Sequence, residues 1–224
     1  GIRVFPIPAD GTSGIANYYQ SSDMERRICI PIGFGGRYSL DDIPNLNVKA
    51  IQLTPLFSGE VDLDLLRQLS RRAPLGMDIQ GFVRVPVGND LVFQPWAEME
   101  QGLKSVTWLK VDRAEAEFLT GESDLQQAAR ALSEMGPREI VLTQSSGVTV
   151  FVDGNFYSAP FTPRSLAGRT GRGDTCFSTY IAMRQQEDPA TACRWAGMIT
   201  SRKQENPGPW KATPDEIREL LSRI

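Results

Sequence analysis

From residue 48 onward, short runs rich in β-branched residues alternate with amphipathic stretches, and few folds accept that order. Residues 48–53, 75–79, 106–111 and 139–143 read as strands. Residues 61–72 carry Val61, Leu65, Leu66 and Leu69 at the spacing of one helical face. Further helices are predicted over 114–119, 174–186, 190–203 and 214–223. Another follows Ser123-Asp124-Leu125-Gln126, which reads as a capping box, and stops at Gly136-Pro137. Thr213-Pro214-Asp215-Glu216 has a cap residue, proline at the first helical position and glutamate closing the box. Residues 148–152 and 156–159 flank Asp153-Gly154 as an antiparallel hairpin. Strands alternating with helices imply an α/β fold: a mostly parallel central sheet with helices on both faces.

The first third differs. Residues 2–7 and 27–32, with 16–19 between them, read as strands, and internal Pro6 and Pro31 make them edge or irregular ones. No run reaches the roughly 18 apolar residues of a membrane span, and residues 1–10 lack signal-peptide character. The formal charge of −3 offers no electrostatic case for a nucleic-acid partner. Histidine is absent, which excludes Ser-His-Asp and Cys-His catalysis and HExxH zinc sites. Cys29, Cys176 and Cys193 form no CxxC pair and are odd in number, as expected of free thiols in a reducing cytoplasm.

Three segments carry candidate chemistry. The densest is Gly168-Arg169-Thr170-Gly171-Arg172-Gly173-Asp174, where glycines precede a helical stretch. Glycine lets the backbone approach a ligand, and a helix N-terminus aims free N–H groups at an anion. A carboxylate at Asp174 could take a proton from an incoming hydroxyl, so the segment suits phosphoryl transfer; alternatively Asp174 merely caps a glycine turn. The second runs from Lys110 through Asp112 and Glu115 to Gly121, at a strand end where a helix begins. Asp112 and Glu115 could share a hydrated Mg²⁺ with Lys110 near phosphate oxygens, or simply complement the helix dipole. The third is Thr143-Gln144-Ser145-Ser146-Gly147, a polar turn after a strand, where open parallel sheets bind ligands. Gly33-Phe34-Gly35-Gly36 lacks the spacing of a dinucleotide fingerprint, and no GxxxxGK[ST] loop is present.

In this order the segments resemble the ribokinase-like carbohydrate kinases, the phosphofructokinase-B family. Thr170-Gly171-Arg172-Gly173-Asp174 matches the second half of its Asp-Thr-x-Gly-Ala-Gly-Asp signature. Asp112-Arg113-Ala114-Glu115 followed by Leu119-Thr120-Gly121 resembles its Asn-x-x-Glu and Leu-Thr-Gly run. Thr143-Gln144-Ser145 resembles its Thr-x-Gly turn. The resemblance is close over residues 48–224, and residues 1–47 are similar to the family's β-rich lid and its connecting segments.

The resemblance implies a ribokinase-like cytoplasmic enzyme that moves the γ-phosphate of ATP to a hydroxyl of a sugar, polyol or nucleoside. Asp174 would be the catalytic base, with the N–H groups of Gly171, Arg172 and Gly173 as the anion hole. Glu115, helped by Asp112, would position Mg²⁺. Lys110, Thr143, Ser145 and Gly147 would border the nucleotide. Asp10, Asn17 and Gln80 are the candidate acceptor contacts, and a homodimer through the lid strands is expected. A monovalent cation often sits beside the family's anion hole, but Gly168 stands where a contributing carboxylate is usual, which argues against potassium dependence. The family's N-terminal Gly-Gly motif has no counterpart, so the N-terminal part of the fold is expected to be missing. The altered Asn and Asp positions leave a second reading, a catalytically silent nucleotide-binding regulator or sensor of the same fold. A third is an unrelated α/β domain that binds a phosphorylated ligand.

Overall fold

A computed structural model describes residues 2–20 and 27–222. Its centre is a six-stranded sheet built from β3 (Ile51–Leu53), β4 (Leu75–Asp78), β7 (Trp108–Asp112), β8 (Glu139–Gln144), β9 (Gly147–Val152) and β10 (Asn155–Pro160). The order across the sheet is β10-β9-β8-β7-β4-β3. β3, β4, β7 and β8 are mutually parallel, and β9 and β10 extend the sheet antiparallel. Asp153, at φ 49°, and Gly154, at φ 81°, make the tight turn between the last two.

Both faces of this sheet are covered, and the strands show why. Successive side chains on a strand point to opposite faces. Leu109 and Val111 of β7 and Ile140 and Leu142 of β8 join one core with α1 (Leu63–Ser70) and α5 (Leu125–Glu134). Trp108 and Val141, one residue out of phase, join the other with α6 (Arg172–Met183) and α7 (Pro189–Gln204). α4 (Arg113–Thr120) follows β7 directly, and α8 (Pro214–Leu221) closes the described chain. α5 is capped by Asp124, which accepts from the N–H groups of Gln126 and Gln127, one residue later than the box expected at Ser123. The box at Thr213 and Glu216 forms as expected.

Two hairpins stand outside the sheet. β1 (Gly14–Tyr19) pairs with β2 (Arg27–Gly33), and β5 (Arg84–Val87) pairs with β6 (Asp90–Phe93) beside β2. The second hairpin, the short α2 (Gln80–Val83) and α3 (Met99–Leu103) are absent from the sequence expectations. The strand expected over residues 2–7 does not form. Pro6 and Pro8 lack N–H donors, Ile2 and Val4 are exposed, and this segment has no pairing partner among the described residues.

Candidate active site

Strand register assembles the site. β4 and β7 pair so that Asp78, last in its strand, lies beside Lys110 in the middle of β7, and β7 and β8 pair so that Asp112 lies beside Thr143 at the C-terminal ends of those parallel strands. There the Lys110 ammonium is buried 3.0 Å from Asp78 Oδ2 and 3.6 Å from Glu115 Oε2. Arg84, delivered by the second hairpin and stacked on Phe93, reaches Glu115 Oε1 at 3.2 Å and Asp112 Oδ2 at 3.3 Å. Asp112 and Glu115 form a reciprocal capping box: Glu115 N–H donates to Asp112 Oδ1 and Asp112 N–H donates to Glu115 Oε2. Burial pushes the Glu115 carboxyl up to about 6 against the pull of Lys110. Burial also raises Asp78, again against Lys110. Burial alone would lower Lys110, but Asp78, Glu115 and Asp112 together hold its pKa above the ordinary lysine range.

The glycine turn closes the site from above. α6 begins at Arg172, earlier than expected, and its N-cap is Gly171 in the left-handed region at φ 85°. The cap is made by backbone geometry with no side-chain bond, so Asp174 is not a cap. It sits exposed in the first turn of the helix. The N–H of Arg172 turns back onto the Arg169 carbonyl at 3.1 Å, a correction to the donor set expected from the sequence. The N–H groups of Gly171, Gly173 and Asp174 have no partner among the described residues, as expected at a helix start, where the first N–H groups lack intrahelical acceptors. Gly173 lies tight against the buried lysine: a Cβ there would lie 3.4 Å from Lys110 Nζ and 3.3 Å from its Cε, so the side chain would have to give by a few tenths of an ångström. The first lid hairpin touches the same turn, with Tyr19 Oη 2.9 Å from Thr170 Oγ1.

Three cavities run side by side along this edge. The central one, about 110 Å³, is lined by Asp78, Lys110, Asp112, Thr143, Gln80 and the turn from Gly171 to Asp174. On one side, about 430 Å³ is walled by Arg84, Arg113, Arg169, Arg172, Thr143 and Ser145. On the other, about 660 Å³ lies between residues 5–13 and the ends of β3 and α1, and shares Thr54, Pro55 and Leu56 with the central cavity.

The structure therefore brings together Asp174, Gly171, Arg172, Gly173, Lys110, Thr143, Asp112, Glu115, Gln80 and, next door, Ser145. It leaves out Gly147, which opens β9 where a Cβ would meet the Ala159 carbonyl at 2.4 Å. Asn17 lies in the lid hairpin, accepting from the Cys29 thiol at 3.2 Å, and Asp10 is exposed; neither lines these cavities. Sequence reasoning missed Asp78 and Arg84. The position of Asp78, last in a parallel strand, was the available signal.

The donor chemistry bears on Mg²⁺. Both Glu115 oxygens already serve Arg84, Lys110 and the Asp112 amide, and the side chain is fully buried. No group of three acidic or thiol ligands occurs among the described residues. Asp112 and Asp174 remain accessible, which fits an ion that keeps its waters and arrives on phosphate oxygens. No described helix is long and apolar enough to cross a membrane.

Residues 6–203 match the model of the pfkB family of carbohydrate kinases. A cytidine kinase of Thermococcus kodakarensis is 28% identical over 103 residues, which is 44% of this chain and 37% of that protein's length. A pyrophosphate-dependent kinase of the ribokinase family, solved with a pyrophosphate analogue and myo-inositol, is 38% identical with a TM-score of 0.79, covering 88% of this chain and 70% of the other. A sulfate complex of a pyrophosphate-dependent kinase in the ribokinase family, 38% identical, superposes with a TM-score of 0.83 over 95% of this chain and 74% of that one. Ribokinase of Arabidopsis thaliana with ribose and ATP, 18% identical, shares the fold with a TM-score of 0.67 over 89% of this chain and 65% of its own.

Proposed function

The chain belongs to the pfkB family of carbohydrate kinases, and we propose that it transfers a phosphoryl group from pyrophosphate to a hydroxyl of a cyclic polyol or sugar. The observation that carries this reading is the convergence of unpaired N–H groups, the Lys110 ammonium and the Asp174 carboxylate at one helix N-terminus. In this reading the acceptor enters from the 660 Å³ cavity and the donor from the arginine-walled one. Asp174 takes the hydroxyl proton as the oxygen attacks the terminal phosphorus. The P–O–P bond breaks, orthophosphate leaves, and the proton passes to solvent. The N–H groups of Gly171, Gly173 and Asp174 hold the charge that develops on the transferring oxygens. Asp112, held in place by Glu115, and Asp174 would hold a hydrated Mg²⁺ brought by the donor, which would supply further charge neutralisation.

Pyrophosphate is favoured over ATP as donor on two grounds. The cavity beside the reaction centre is lined by Arg84, Arg113, Arg169 and Arg172, which suits a compact polyanion. The 38% identity is to a pyrophosphate-dependent kinase. ATP is the second reading, and a separate observation favours it. A cavity of about 720 Å³ on the far side of the glycine turn is lined by Pro207, Pro209 and Trp210 and could take a base. The exposed Tyr18, Ile28 and Ile32 of the lid hairpin support pairing of two copies through that sheet. A monomer by light scattering would contradict it.

A panel of polyols, sugars and nucleosides, each with pyrophosphate or ATP and Mg²⁺, tests the reading. Phosphomonoester formation with pyrophosphate is expected. Turnover with ATP alone would favour the second reading, and donor binding without turnover on any acceptor would favour a silent regulator.

A further inference from the structure

Lys203, next to last in α7, is buried at 4% exposure, yet it makes no ion pair among the described residues. Its ammonium donates instead to two main-chain carbonyls of the glycine turn, that of Gly168 at 2.5 Å and that of Thr170. Burial lowers its pKa, and Asp174 nearby works against that fall. The turn is pressed onto the end of α7: Gly168 N–H donates to the Gln204 carbonyl at 2.7 Å, and a Cβ on Gly168 would lie 1.7 Å from the Asn206 carbonyl oxygen. The residue that removes the family's usual carboxylate is thus the one that lets the backbone seat itself on this lysine.

The peptide geometry gives the contact its consequence. In a trans peptide the carbonyl and the following N–H point in opposite directions, and no peptide bond among the described residues is cis. A Thr170 carbonyl held down on Lys203 therefore aims the Gly171 N–H away from the lysine, toward the central cavity that Gly171 lines. A cation among carbonyls is also what an alkali-metal site consists of, and here the ammonium already fills it. The residues present do not fit a free monovalent ion at these carbonyls.

Resting on the reading of this turn as the anion hole, we propose that Lys203 is a positioning residue, a tethered cation that fixes the Thr170–Gly171 peptide and makes the enzyme independent of added monovalent cations. The test exchanges potassium for tetramethylammonium at constant ionic strength and follows both turnover and melting temperature. The wild-type protein is expected to respond in neither. Lys203→Ala is expected to lose about a hundredfold in kcat, the cost of a misplaced donor, with KM for the acceptor little changed. Potassium or ammonium should then raise both its kcat and its melting temperature, whereas Lys203→Met, which fills the space without a charge, should be slow and unresponsive. Severalfold activation of the wild type by potassium would overturn the proposal. So would wild-type kcat in Lys203→Ala, or a folded Lys203→Ala indifferent to every small cation. If that variant does not fold, the wild-type response decides alone. If no donor supports turnover, the kinase reading fails while the melting comparison still judges Lys203.

Discussion

Replacing Lys110 by methionine tests whether the buried charges at the strand ends form one balanced unit. Methionine keeps the apolar stem and most of the volume and deletes only the ammonium. The ammonium lies 3.0 Å from Asp78 and 3.6 Å from Glu115, with both acids nearly or fully buried. At an effective dielectric constant of about 20, each contact is worth roughly 5 kcal/mol of Coulomb attraction, most of it offset by the desolvation of the ions. Deleting the cation removes the attraction and leaves the desolvated acids, so Lys110→Met is expected to cost roughly 3–5 kcal/mol. Adding Asp78→Asn removes one stranded charge while Glu115 keeps Arg84 at 3.2 Å, so the double variant should regain about half of that loss or more. Urea denaturation with a shared m value reads both numbers. Turnover should stay low in both variants, because Lys110 faces the glycine turn. A single-variant cost below about 1 kcal/mol, or losses that add instead of recovering, would refute the balance argued here.

Other consequences follow from the same geometry. Glu115 has a folded pKa raised from 4.5 to about 6, so its contribution to stability is fully present below pH 4.5 and is lost as pH rises through about 6. Relative to Glu115→Gln, the wild type should lose roughly 2 kcal/mol across that window; a flat difference in unfolding free energy would remove the shift. Gly173→Ala gains up to about 1 kcal/mol of helix propensity, offset by the few tenths of an ångström that Lys110 must give to a Cβ 3.3 Å from its Cε, so stability should change by less than about 1 kcal/mol while kcat falls. Melting temperature and kcat moving down together would instead mean simple structural damage.

Much of this architecture was legible because the hydrophobic periods are strong. The alternation of strands and helices from residue 48 becomes the covered sheet, and Asp112, Glu115, Thr143 and Asp174 reach one edge because strand ends and a helix start gather there. The hairpin of β5 and β6 was also written in the chain, as Gly88-Asn89 between apolar runs, and its absence from the expectations cost the identification of Arg84. Lys203 was beyond sequence reasoning for a different reason. Its partners are carbonyl oxygens 33 and 35 residues away, and a backbone contact leaves no mark on residue type except at Gly168. The Arg172 amide was misassigned because which N–H groups of a glycine turn stay free depends on dihedral angles.

The most direct measurement of the central claim is single-turnover phosphoryl transfer by Asp174→Asn, followed by phosphorus NMR beside the wild type. Intact folding and donor binding are expected, with transfer slowed by about a hundred- to ten-thousandfold, the contribution of a general base. Transfer at the wild-type rate would contradict that claim.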